Sequence, residues 1–193
     1  MWWIIYLAMY WSAGLTLKTG DDLLDELNRP NLAWFPLGLS GLFFGTVMTL
    51  SQWDMAMLGA VVIGVLLTGK VDKPQFMAGF LLIGLLLAIR GIPVVTAWLD
   101  WWALLIMLLL AAAIDEVGHG IMESGTQGVI GFSKISNAAW FFRHRFTLKL
   151  SALLLCILWP GLFPSAVGIW MFDLGYEIAG SLLKSKRSAI LGK

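Results

Sequence analysis

Residues Phe76–Ile89 read FMAGFLLIGLLLAI, a run with no charged side chain, closed by Lys73-Pro74 on one side and Arg90-Gly91-Ile92-Pro93 on the other. The run does not alternate apolar and polar residues, so it is not a strand with one wet face. As a helix it is apolar all round, and such a helix is surrounded by apolar matter on every side. Six further runs resemble it: Trp2–Leu17, Trp34–Leu50, Met55–Gly69, Val94–Ala113, Leu148–Trp159 and Pro164–Leu183. They are separated by Asn28-Arg29-Pro30, Ser51-Gln52-Trp53-Asp54, Gly69-Lys70-Val71-Asp72-Lys73-Pro74, Arg90-Gly91-Ile92-Pro93, the glycine-rich Gly118–Gly131 and Trp159-Pro160-Gly161. Proline and glycine end helices at such edges.

Composition agrees with this patterning. Of 193 residues, 59% are hydrophobic and 13% charged, where a soluble domain carries about a quarter charged residues. The sequence therefore predicts an all-α polytopic membrane protein, a single domain over 1–193, bundling about seven transmembrane helices. A span needs about 20 residues, so the shorter runs must borrow helical residues from their polar flanks. Open sheets cannot cross a bilayer, and no ten-residue alternation recurs. Eleven tryptophans suit the two interfacial belts. The N-terminal Met1-Trp2-Trp3-Ile4 lacks a basic region and a small-residue cleavage site, so it reads as a retained first helix. The single cysteine, Cys156, excludes an intrachain disulfide framework. A net charge of +1 gives no reason to expect nucleic acid as a partner.

Lys and Arg set the orientation. With the N-terminus outside, the inward loops and tail hold Lys18, Arg29, Lys70, Lys73, Lys134, Arg143, Arg145, Lys149, Lys184, Lys186, Arg187 and Lys193, and only Arg90 falls outside. This bias fits seven spans, a cytoplasmic C-terminus and residence in a cell (inner) membrane. Most acids join the inner side: Asp21, Asp22, Asp25, Glu26, Asp72, Asp115, Glu116 and Glu123. The working face is expected to be cytoplasmic.

Four constellations can carry chemistry. In Thr19–Pro30, Asp21 and Asp25 lie one turn apart if the first helix continues, with Lys18 beside them. Two such carboxylates can hold Mg²⁺, which keeps waters and shares phosphate oxygens. The plain alternative is a solvated acidic helix end. In Ile114–Glu123, Asp115, His119 and Glu123 step by four residues and share a helix face. They can bind a metal, or His119 can shuttle protons. The spacing is not that of a HExxH zinc protease. Basic residues Lys70, Lys73, Arg143, Arg145 and Lys149 either meet lipid headgroups or converge with the acids to grip a diphosphate. Finally, Asp173 and Glu177 lie one turn apart within the last apolar run, where carboxylates are costly. Asp54, Arg90 and Asp100 lie near the outer face, where an Arg90–acid pair is expected.

Asp21-x-x-x-Asp25-x-x-Asn28-Arg29-Pro30 resembles the second half of the first aspartate-rich motif of the UbiA superfamily of intramembrane prenyltransferases, with Leu17 and Lys18 where that motif begins Asn-Asp. Asp115-x-x-x-His119-x-x-x-Glu123 is a looser counterpart of the family's second motif. Asp21-Asp22-x-x-Asp25 also spells the DDxxD of soluble prenyl-diphosphate synthases. Four helices separate the two motifs in the family, as they do in the expected topology here. The resemblance implies Mg²⁺-dependent transfer of a prenyl chain from its diphosphate to an acceptor, within membrane lipid. It implies metal held by Asp21, Asp22, Asp25, Asp115 and Glu123, and catalytic roles for Asp21, Asp25, Asp115 and His119. It implies substrate contacts from Asn28, Arg29, Lys70, Asp72, Arg143 and Arg145. Two other readings stay open at this point. One is an ion- or proton-coupled transporter or channel working through Asp173 and Glu177. The other is a different lipid-phosphate enzyme, such as a phosphotransferase or phosphatase.

Overall fold

The computed structural model describes residues 2–67, 73–123 and 146–191, with the side chains of 116, 119–123 and 183–191 outside that description. Among the described residues the regular structure is seven α-helices and one short 3₁₀ turn, with no strand. The helices are α1 (Trp2–Asp25), α2 (Pro30–Met48), α3 (Gln52–Leu67), α4 (Phe76–Arg90), α5 (Trp98–Glu123), α6 (Phe146–Leu155) and α7 (Phe163–Leu191), with the 3₁₀ turn at Pro160–Leu162 before α7. Each apolar run of the sequence thus has its helix.

The boundaries shift for local reasons. Helix α1 runs past Leu17 to Asp25, so the acidic motif is helical. Its exit is built by Asn28, which takes a left-handed φ of 48°, a conformation asparagine tolerates better than most residues. The Arg29 N–H then donates back to the Leu23 carbonyl at 2.8 Å. Pro30 opens α2, where its fixed φ and missing N–H cost nothing. Helix α4 stops at Gly91, whose φ is +85°, and Pro93 delays α5 until Trp98. Helix α6 ends before Trp159-Pro160.

Two helical stretches, Pro30–Met48 and Trp98–Asp115, are long and apolar enough to cross a membrane. Over the described residues α3, α4 and α6 cover 16, 15 and 10 residues, α3 and α6 each meeting undescribed residues at one end; α4, bounded at both ends, rises about 22 Å against a hydrocarbon core of about 30 Å. Helix α4 has no buried residue at all, and Leu81 and Ile89 on it are each 71% exposed.

The chain falls into two compact units. The first comprises Met1–Met55, Val71–Val94 and Val167–Lys193. It is held by backbones that approach closely through glycine. A Cβ on Gly14 of α1 would stand 1.9 Å from the Phe172 carbonyl oxygen of α7, and one on Gly175 would stand 2.1 Å from that of Trp11. Gly41 of α2 likewise faces the backbone of Gly79 on α4. Small residues at helix interfaces allow dispersion contacts along whole backbones, the main attraction where lipid removes the hydrophobic drive between helices. Ser40 Oγ adds a hydrogen bond to the Ala13 carbonyl, 3.1 Å, between α2 and α1. The Phe44 and Phe172 rings meet edge to face at 5.4 Å.

The second unit comprises Ala56–Lys70 and Val95–Ala166. Its buried residues include Leu104, Leu108 and Ala111 of α5, Ala152 of α6 and Leu162 of the 3₁₀ turn. At the start of α5, Trp101 meets both Trp98 and Trp102 edge to face.

Candidate functional site

The end of α1 gathers the charges of the first unit. Three and four residues along a helix from Lys18 stand Asp21 and Asp22. The Lys18 ammonium reaches both, at 3.2 Å from Asp21 Oδ2 and 2.7 Å from Asp22 Oδ1. The two acids differ in access: the Asp22 side chain is 3% exposed and that of Asp21 28%. Asp22 therefore faces the interior, paired with Lys18, while Asp21 opens outward. Asp25, on the same face as Asp21, is 58% exposed and in ion-pair contact with Lys73, from just before α4. Tyr176 of α7 completes the group. Its hydroxyl donates to Asp21 Oδ2 at 3.4 Å, and the Lys18 ammonium lies 5.2 Å from its ring centre. Lys18 sits just past the apolar run that ends at Leu17. Burial alone favours its neutral form, but Tyr176, Asp22 and Asp21 outweigh burial and hold the ammonium above the ordinary lysine range.

The structure thus brings together Asp21, Asp22 and Asp25 with Lys18, Lys73 and Tyr176. Asn28 and Arg29 are exposed in the turn directly after, and the left-handed corner accounts for the asparagine. No group of three or more His, Cys, Asp or Glu side chains placed to hold a metal occurs among the described residues. Asp21 and Asp25 nonetheless suit Mg²⁺, because that ion keeps most of its waters and takes only one or two carboxylates. Asp22, expected from the motif as a third ligand, is taken up by Lys18 and buried.

Asp115 belongs to the second unit and has a different task. It is 2% exposed, and its two carboxylate oxygens accept the backbone N–H groups of Thr147 (3.0 Å) and Leu148 (2.7 Å), in the first turn of α6. His119 and Glu123 lie in the last turns of α5, with side chains outside the described set. Lys70, Asp72, Arg143 and Arg145 lie outside the described residues altogether. Asp173 is half-buried on α7 and Glu177 exposed.

Sequence reasoning missed a second polar cluster. Asp54, 2% exposed, accepts hydroxyl hydrogen bonds at Oδ1 from Tyr6 (2.5 Å) and Tyr10 (2.7 Å), and at Oδ2 from Ser51 (2.7 Å). The Asp54 N–H donates in turn to Ser51 Oγ at 3.1 Å. Ser51-x-x-Asp54 is a capping-box spacing at the start of α3, and Tyr6 and Tyr10 are one turn apart on α1, so both halves were visible as local patterns. Their meeting was not. Arg90, expected to pair with an outer acid, bonds Thr49 Oγ1 at 3.5 Å instead.

No protein family model, curated protein or solved structure matches the chain.

Proposed function

We propose that the chain is an integral membrane protein with seven spans, N-terminus outside and C-terminus cytoplasmic. We further propose that the end of α1 takes the diphosphate of a prenyl lipid together with Mg²⁺, for transfer of the prenyl chain to an acceptor. The membrane reading is supported by the two helices of spanning length, by the apolar and unburied surface of α4, and by the one-sided distribution of Lys and Arg. The observation that carries the activity is the division of labour at the end of α1. Asp22 is buried and tied to Lys18, while Asp21 and Asp25 stay accessible one turn apart, with lysines on either side.

An exposed pair such as Asp25–Lys73 is worth at most about 1 kcal/mol. It separates at little cost, freeing the carboxylate to face a metal and the ammonium to face a phosphate. When bound, Mg²⁺ would neutralise diphosphate charge as the bond to the prenyl carbon breaks. Lys18 and Lys73 supply fixed positive charge beside that leaving group, and Arg29 stands in the adjoining turn. Apolar helix walls house the tail and keep water from the allylic cation. Asp115, occupied by backbone amides, is left out of the metal-holding role.

The test is binding of a labelled prenyl diphosphate to the full chain in lipid nanodiscs, with and without Mg²⁺. Saturable binding should require Mg²⁺ and weaken by at least about tenfold, or about 1.4 kcal/mol, in Asp21→Ala and in Asp25→Ala. Binding that ignores Mg²⁺, or that both variants retain, would reject the reading.

A further inference from the structure

In the proposed topology Arg90 is the one Lys or Arg on the outer side, and the structure gives it no carboxylate. Among the described residues its guanidinium meets only the Thr49 hydroxyl oxygen, at 3.5 Å. That oxygen is purely an acceptor here, because the Thr49 hydroxyl proton goes to the Thr46 carbonyl at 2.7 Å. A guanidinium carries five N–H donors in a planar fork, so most of this one stays open. The surface beside it is apolar: Ile89, Ile92 and Val94 are all exposed. A cation set among exposed apolar side chains, with no acid beside it, draws an anion from its surroundings.

Packing fixes the depth of this cation. Gly41 of α2 faces Gly79 of α4, and Gly45, one turn later, faces Ile83 and Leu86. The two helices therefore run in the same direction, in a register that places Arg90 about one turn beyond the end of α2. Helix α2 has 19 residues and rises about 28 Å. Arg29, exposed just before α2, and Arg90 are thus separated by about the thickness of a hydrocarbon core, about 30 Å. Between them α4 presents Leu81, Leu85 and Ile89, exposed and four residues apart on one face. From Leu81 to Arg90 the helix rises about 13 Å, close to the half-core of about 15 Å that one leaflet's chains fill. We infer that Arg90 seats the phosphate of an outer-leaflet phospholipid whose acyl chain lies along Leu81, Leu85 and Ile89. Arg suits that partner because its fork matches two phosphate oxygens at once. The carbonyl ends of α2 and α4 favour a cation at this spot and keep the guanidinium there. The inference rests on the membrane reading and is independent of the prenyl chemistry.

Photo-crosslinking of the full chain in dodecyl maltoside, a detergent without phosphate, tests it. The probes are a phosphatidylglycerol and a diacylglycerol that carry the same diazirine-bearing acyl chains, with labelled peptides mapped by mass spectrometry. Labelling over 81–94 should favour phosphatidylglycerol by at least about tenfold, the scale of a charge-assisted hydrogen bond. Arg90→Gln should erase that preference, and Arg90→Lys, a point charge without the fork, should keep part of it. Millimolar inorganic phosphate should leave the labelling unchanged. Equal labelling by the two probes, or a preference that survives Arg90→Gln, would overturn the inference. Displacement by inorganic phosphate would also overturn it, by showing a site for free anions. Should Arg90→Gln fail to fold, the two probes on the unaltered chain and Arg90→Lys still decide. A chain that stays soluble without detergent would sink the membrane reading itself, whereas labelling of other apolar helices without a preference near Arg90 sinks this inference alone.

Discussion

Replacing Tyr10 by Phe removes one oxygen from the Asp54 cluster and leaves the ring in place. Tyr10 is 1% exposed, so nothing from outside replaces its hydroxyl, and the bond lost is one to a charged acceptor at 2.7 Å. Such bonds contribute about 1.5–3 kcal/mol, and about 2 kcal/mol is expected for Tyr10→Phe. Tyr6→Phe should cost less, because Tyr6 is only part-buried. Asp54→Asn keeps an acceptor for the tyrosines but makes it neutral, which should cost about 2 kcal/mol. Asp54→Ala should cost about 4 kcal/mol, since it strands the Tyr10 hydroxyl as well. The assay is reversible unfolding in mixed micelles by increasing SDS, run as a double-mutant cycle. If the hydrogen bond carries this weight, Tyr10→Phe and Asp54→Asn will be non-additive by about 1–2 kcal/mol. Additivity within about 0.5 kcal/mol, or a Tyr10→Phe change no larger than that, would show that the cluster does not hold α1 to the start of α3.

The lysines at the end of α1 should separate by burial. Lys18→Ala leaves Asp22 buried without its cation and should cost about 3 kcal/mol, whereas Lys73→Ala, at an exposed pair, should cost less than about 1 kcal/mol. Comparable losses in the same unfolding assay would show that Asp22 is not the anchor. Reporter fusions after Met1 and after Lys193 should report opposite compartments, and agreement between them would remove one span from the proposed topology.

Composition and the seven apolar runs made the helices legible, because long, uniformly apolar stretches closed by proline and glycine read as helices whatever surrounds them. The same uniformity hid which faces pack: α4 reads alike on all sides, and only Gly79 against Gly41 shows where its partner lies. At the end of α1, local spacing foretold that Asp21 and Asp25 share a face. It also offered Lys18, since all three lie within two turns. That Lys73 meets Asp25, that Tyr176 meets Asp21, and that Asp22 is buried depend on contacts distant in sequence. Asp115 shows the limit best. Its spacing with His119 and Glu123 reads as a ligand pattern, and the structure adds backbone amides of α6 as its partners, which no side-chain pattern announces.

The reciprocal seating of Gly14 and Gly175 has a bearing on biogenesis. Helix α7 is the last of the seven to be synthesised, and α1 the first. At translation rates of roughly 5–20 residues per second, the ribosome needs on the order of ten to thirty seconds to travel from one to the other. Through that interval the notch at Gly14 stands open, and Lys18 and Asp21 lack Tyr176. Maturation of the charged α1 end is thereby deferred until α7 has emerged. A chain stalled or clipped before α7 would carry these acids and lysines without their α7 partner.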